Sequence, residues 1–165
     1  MTTHAIIWPA SSSNLGKVAM NERISRQRQI VAEHIRGENE KDWAAVYGTF
    51  VQDDRAYYHV VPLGTVFRGI NGVRGFYESI VAAFPDFHID VRSEYDLPGC
   101  TILEVVITGT HKGDFVGVRP LGNAVRIDMA AFYTFDDTSA KLISERIYFD
   151  QATLLRQMQP KRTSI

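Results

Sequence analysis

The hydrophobic pattern of the chain changes period near its middle. Before residue 84 the apolar positions recur at helical spacing, and after residue 86 they alternate. Residues 21–36 read as a helix, with Ile24, Val31 and Ile35 on one face and Glu22, Arg26, Gln29, Glu33 and Arg36 on the other. Gly37 is the expected stop. Residues 41–50 place Trp43, Val46, Tyr47 and Phe50 at i, i+3, i+4 and i+7, which predicts a second helix with Trp43 in the core. A strand is expected at residues 56–61, stopped by Pro62 and Gly64. Its alternation sets Tyr57, His59 and Val61 on one face and Tyr58 and Val60 on the other. After a loop at residues 68–72, a third helix carries Val73, Phe76, Tyr77, Ile80, Val81 and Phe84 as an apolar stripe and ends at Pro85-Asp86.

Four strands follow, at residues 87–95, 101–111, 125–135 and 141–149. In the second of them Leu103, Val105, Ile107 and His111 share one side, and Ile102, Glu104, Val106 and Thr108 the other. Glu104 among valines and isoleucines is locally inconsistent, and such positions are where sites tend to lie. His88 and Asp90 share the wetter face of the first. Residues 112–124 form a glycine-punctuated loop with no Gly-Lys-Ser/Thr and no following helix, so it is not a phosphate cradle. Beyond residue 151, Ala152, Leu154, Leu155 and Met158 predict a short terminal helix. Consecutive strands on short turns form an antiparallel meander, and helices grouped on one side of it make an α+β architecture able to enclose a pocket.

Composition narrows the function classes. With 165 residues, 45% apolar and 22% charged, the chain suits one domain with a real core. Eighteen Lys and Arg against nineteen Asp and Glu leave a formal net charge of -1, which gives no footprint for nucleic acid or an anionic membrane. Cys100 is alone, so an intrachain disulfide and a thiolate zinc site within one chain are both excluded, and a cytoplasmic, reducing compartment is expected. No apolar stretch reaches membrane-spanning length. Residues 1–20 lack a basic leader segment and read as an irregular arm, with Trp8 packed on the domain or a neighbour. The domain is expected over residues 21–160, with residues 161–165 as a tail. No metal is expected, because His59, His88 and His111 are not spaced for a tetrahedral site.

Asp150 stands where the last strand meets the terminal helix. It can cap that helix or point into a cavity, and local sequence leaves both open.

Four stretches add a resemblance. They are residues 108–122 (TGTHKGDFVGVRPLG), His59 through Pro62-Leu63-Gly64 to Arg68-Gly69, the helix end Ala83-Phe84-Pro85-Asp86, and Asp150 followed by Gln157. In order and spacing they resemble the SnoaL-like polyketide cyclases over about residues 25 to 159. The resemblance implies an NTF2-like cone: a strongly bent antiparallel sheet packed on the three helices of the N-terminal half. It implies cofactor-independent ring closure of a polyketide ester or a related small apolar carbonyl compound by intramolecular aldol condensation. It also implies a homodimer or a dimer-based oligomer. Asp150 corresponds to the family's acid/base carboxylate, a lyase- or isomerase-like role. Tyr148, Phe149 and Phe84 would then supply an apolar wall that raises its pKa, and His59, His111 or Tyr58 would stabilise the enolate. Glu104 stands where the family often has Arg, which would put a second carboxylate in the pocket. The alternatives are a hydrolase, dehydratase or isomerase of another small apolar molecule on the same cone, or a non-catalytic ligand-binding or dimerisation module.

Overall fold

A computed structural model describes residues 12–160. The order is α1 (Ser12–Glu40), α2 (Trp43–Thr49), β1 (Tyr57–Val60), a short 3-10 turn (Val61–Leu63) and β2 (Thr65–Arg68). It continues with α3 (Gly69–Ala83), β3 (His88–Leu97), β4 (Cys100–Thr110), β5 (Ala124–Phe135), β6 (Leu142–Phe149) and α4 (Gln151–Met158). The six strands form one sheet in the order β2-β1-β6-β5-β4-β3. The expected α+β architecture is present, with three corrections.

First, α1 is longer than the periodicity suggested. It starts at Ser12, so residues 12–20 are helical rather than an irregular arm, and it runs through Gly37 to Glu40. Gly37 is not a stop but a contact: a Cβ there would meet the Val46 side chain at 2.9 Å, so its absence lets α2 pack close. Lys41 ends the helix in the left-handed region (φ 63), and its ammonium turns back to donate to the Glu38 carbonyl at 2.8 Å. Second, β2 is a four-residue strand, in a stretch where no element was expected, paired antiparallel to β1, and α3 starts at Gly69, inside the stretch read as loop. Third, the sheet is not a pure meander, because β1 runs parallel to β6. Trp8 and the tail at 161–165 lie outside the described residues.

Curvature has local causes. The register shifts between Val91 and Ser93 where β3 pairs with β4, a bulge that bends the strand. Pro98-Gly99 connects β3 to β4, and Gly99 (φ 82) takes the backbone geometry this two-residue turn needs. The alternation of β4, β5 and β6 then sorts the sheet into two faces. Leu103, Ala131, Ile147 and Val60 form one row on the inner face, and Thr101, Tyr133, Glu145 and Tyr58 form the next. Glu104, Ile102, Phe132, Arg146 and Tyr148 alternate to the outer face. The inner face packs on α1, α2 and α3, and Val46, Phe50, Val73, Tyr77, Leu103 and Leu142 are buried between them.

The loop at residues 111–123 is anchored rather than free. Lys112 and Gly113 donate their backbone N–H groups to the Ala83 carbonyl at 2.8 and 3.2 Å, satisfying the exposed end of α3. A side chain at Gly113 would collide with the carbonyl oxygen of Ala82, which is backbone and cannot step aside. Gly75, inside α3, has open space around it. Gly113→Ala should therefore lower stability by about 1–3 kcal/mol. Gly75→Ala should raise it by about 0.5–1 kcal/mol. Urea midpoints of the two variants against the parent protein check both signs.

Candidate functional site

Four buried positions on α1, Gln27, Val31, His34 and Glu38, recur at i, i+4, i+7 and i+11 and face the sheet. Val31 is apolar core, and Gln27 has plain structural partners, the Leu97 carbonyl and the Gly99 N–H. The other two point at Glu145 on β6, which parity places on the inner face beside Ile147 and Phe149. The result is a cluster of titratable groups, each below a tenth exposed, at the closed end of a cavity.

Glu145 is its centre. Its Oε1 accepts from Tyr58 at 3.0 Å and Tyr133 at 3.3 Å, and its Oε2 from Tyr77 at 3.1 Å. His34 Nε2 lies 3.1 Å from the same Oε2. On the far side of the ring, His34 Nδ1 is 2.8 Å from the Thr49 hydroxyl, which is itself hydrogen-bonded to the Val46 carbonyl. Glu38 completes the group: its Oε2 is 3.7 Å from His34 Nε2 and, though buried, has no hydrogen-bond partner.

Burial, and next to it the Glu145 charge, push the Glu38 carboxyl up to about 8, only partly offset by His34. That shift favours the neutral carboxylic acid over the carboxylate. For His34 burial works against the charged ring, yet Glu38 and Glu145 outweigh it and hold the imidazole above its ordinary value. Burial, then the Glu145 charge, raise Tyr58, Tyr77 and Tyr133 well above the ordinary phenol value, so all three remain donors.

The cavity has a volume of about 340 Å³. Glu38, Glu145 and the three tyrosines form its floor, and Phe76, Phe84, Val105, Ile127 and Ile147 are among the apolar side chains of its wall. Exposed Thr65 and Val116 also line it, which marks the mouth. Val116 sits there in the left-handed region (φ 45), an unusual conformation for a β-branched residue, within the loop that brings Phe115 against Phe84. Among the described residues, His34, Glu38 and Glu145 bring one donor atom each within 4.8 Å of one another. The Tyr77 hydroxyl, 2.9 Å from His34 Nε2 and 3.1 Å from Glu145 Oε2, fills the space between two of these donors, and the trio does not fit a metal as it stands.

The residues singled out from sequence scatter. Tyr58 and Phe84 line the cavity. His59, next to Tyr58, points to the opposite face of β1 and is not part of the lining. His111 is fully buried behind the wall, its ring 5.4 Å from that of Phe84, with neither nitrogen hydrogen-bonded. Glu104 is on the outer face, accepting from the exposed Tyr95 hydroxyl at 3.3 Å, so it is no second pocket carboxylate. Tyr148 alternates outward too and packs on Phe132.

Asp150 is the largest correction. Exposed and absent from the lining, it caps α4, accepting from the Thr153 N–H at 3.1 Å and the Thr153 hydroxyl at 2.5 Å. Those bonds, the hydroxyl foremost, hold its carboxyl below the usual range, the opposite of an activated base. Glu38 and Glu145 of the floor, and His34 behind them, were missed. Their signals were the i+3 and i+7 spacings from Val31 and the parity of Glu145 with Ile147 and Phe149.

The family model described as SnoaL-like polyketide cyclase matches residues 27–158. A structure described as a candidate SnoaL-like polyketide cyclase from Jannaschia sp. CCS1 superposes with a TM-score of 0.72 at 19% identity, over 82% of this chain and 94% of that one. A candidate polyketide cyclase from Xanthomonas campestris gives 0.73 at 16% identity, over 83% and 99%. Wild-type IdmH from Streptomyces antibioticus, also described as a candidate polyketide cyclase, gives 0.66 at 22%, over 79% and 96%. At these identities the structures share the fold. None of the curated proteins matches the sequence. No helix among the described residues is long and apolar enough to cross a membrane.

The floor makes stability depend on pH in a defined direction. A carboxyl whose folded pKa lies above its unfolded value holds a proton that the unfolded chain has released. Stability therefore falls as pH rises from the ordinary carboxylate range through about 8. His34, also raised, adds a contribution of the same sign, present below its ordinary value of 6.5 and lost above its folded one. Gln at position 38 resembles the neutral acid and cannot ionise. Thermal melts from pH 5 to 9 should show the parent protein losing stability with pH, and Glu38→Gln losing distinctly less. Equal slopes would show that Glu38 is not the buried acid.

Proposed function

The chain belongs to the SnoaL-like polyketide cyclase family, and from that premise we propose that its cavity performs cofactor-independent acid/base chemistry on a small apolar carbonyl compound, with Glu38 moving the proton. Intramolecular aldol ring closure is the reaction that family membership favours. The observation carrying this reading is the Glu38 carboxyl: buried at the cavity floor, unpartnered at Oε2, and raised toward the pH at which it works.

The step balances within the ligand and one side chain. The ionised fraction of Glu38 takes the proton from a carbon next to a carbonyl, and that C–H pair becomes the enolate. The enolate carbon attacks a second carbonyl of the same molecule, forming the C–C bond and an alkoxide. Glu38, now protonated, returns its proton to that oxygen. The apolar wall keeps water from competing, and the imidazole 3.7 Å away steadies the charge on Glu38 while it is a base. Asp150, on the surface and occupied with α4, takes no part in this reading.

We also propose that the outer sheet face pairs with a second copy. Tyr95, Leu97 and Tyr148 are exposed there beside Ile102 and Phe132. Glu104 and Arg146 put opposite charges on the same face, and Arg146 Nε has no hydrogen-bond partner among the described residues. A two-fold axis can set such a face against itself with each charge meeting its opposite.

Two measurements test these proposals. Exchange of the α-protons of 2-tetralone in heavy water, followed by NMR, reads proton abstraction without the natural ligand. Glu38→Gln should slow it by about two to four powers of ten, while Asp150→Asn keeps the parent rate. Undiminished exchange in Glu38→Gln would overturn the assignment. Light scattering at micromolar concentration should give twice the 18.6 kDa chain mass, and Tyr148→Asp should halve it. A monomeric parent protein would refute the pairing.

A further inference from the structure

Resting on Glu38 as the proton-moving group, we infer that Thr49 is a positioning residue that decides which nitrogen of His34 exchanges a proton with the cavity floor. The Thr49 hydroxyl has one hydrogen. The Val46 carbonyl, 2.6 Å from Oγ1, can only accept, so that hydrogen is committed to it. What Oγ1 turns toward His34 Nδ1, at 2.8 Å, is therefore a lone pair, and a lone pair requires an N–H opposite. Thr49 and His34 are both buried, so the local hydrogen bonds set the tautomer. Nδ1 keeps its proton whether the ring is charged or neutral.

The variable proton is then confined to Nε2. That nitrogen faces the Tyr77 hydroxyl at 2.9 Å, Glu145 Oε2 at 3.1 Å and Glu38 Oε2 at 3.7 Å. With a proton there, the ring donates toward Glu145 and places a positive charge beside Glu38. Without one, Nε2 accepts from Tyr77, whose single hydrogen can go to either neighbour. The other groups that face the cluster are fixed in role. Tyr58 on β1 and Tyr133 on β5 donate to Glu145 Oε1, and Lys41, next to the end of α1, is committed to the carbonyls of Glu38 and Phe87. Besides the Tyr77 hydroxyl, which can reorient, the His34 ring answers a change of charge on Glu38, and it does so from the nitrogen that Thr49 leaves free. In the reverse tautomer the Nδ1 and Thr49 lone pairs would face each other, and Nε2 would carry a permanent hydrogen.

Thr49→Val keeps the shape and removes the hydroxyl, and Thr49→Ser keeps the hydroxyl. Long-range 1H–15N NMR of the whole protein, with His34 assigned by its loss in His34→Gln, reads the tautomer directly. The parent protein and Thr49→Ser should show a ring protonated at Nδ1 throughout, with only the Nε2 shift moving with pH. Thr49→Val should populate the Nε2–H tautomer. The same three proteins in the 2-tetralone exchange add a second readout. The ascending limb of the pH profile should move up by about one pH unit in Thr49→Val and return in Thr49→Ser, because a less readily charged ring supports ionised Glu38 less well. A parent spectrum showing the Nε2–H tautomer overturns the inference even if Thr49→Val does not fold, and so does an unchanged tautomer in a folded Thr49→Val. Failure of the Glu38 reading would appear separately, as full exchange in Glu38→Gln with the His34 spectra as expected.

Discussion

One buried carboxylate organises this domain. Removing Glu145 from water costs several kcal/mol unless its oxygens are met by donors. They are met by Tyr58, Tyr77, Tyr133 and His34, carried by β1, α3, β5 and α1. Four elements from separate parts of the chain are thereby held at hydrogen-bonding distance from β6. Such a network specifies one packing of helices on sheet, because any slip leaves a buried acceptor unpaired. It also exhausts the local donors. Glu38, brought to the same place by α1, finds its Oε2 without one, and the cavity is the direction in which that oxygen can still act.

Asp150 and Glu38 show that environment, not residue type, sets what a carboxyl does. At the surface, two hydrogen bonds from Thr153 lower the first, whereas burial raises the second. The aromatic residues flanking Asp150 misled because a strand alternates: Phe149 faces the cavity, Tyr148 faces outward, and the chain then turns into α4 with Asp150 on its exposed rim.

The element order was legible where periodicity ran long enough. Alternation in β4, β5 and β6 identified the strands and which of their residues share a face, and the apolar stripe of α3 marked a helix. β2 escaped because four residues carry too little pattern, and the β1–β6 pairing because register between distant segments leaves no local mark. Gly37 reads as a helix stop by propensity, but close packing against Val46 keeps it helical, and that moved Glu38 into a loop when the chain was read alone. Of the site, Tyr58 and Phe84 were found. His34 and Glu145 were legible only by position, since a charged residue on an apolar stripe is ordinarily assigned to solvent.

The parallel pairing of β1 with β6 has a consequence for how the chain acquires its shape. Tyr58 and Glu145 are register partners 87 residues apart, and His34 is 111 residues from the same carboxylate. The three helices and β1 are all made before the strand that closes them. During synthesis, which proceeds from the N-terminus, an incomplete chain holds His34, Glu38 and three tyrosines around a place where no acceptor yet stands. Contacts this remote in sequence form late and slowly, since their loop-closure entropy is met before they return anything. A chain interrupted before residue 145 therefore carries Glu38 and the three tyrosines without the carboxylate that gathers them, and without Ile147 and Phe149 to finish the wall.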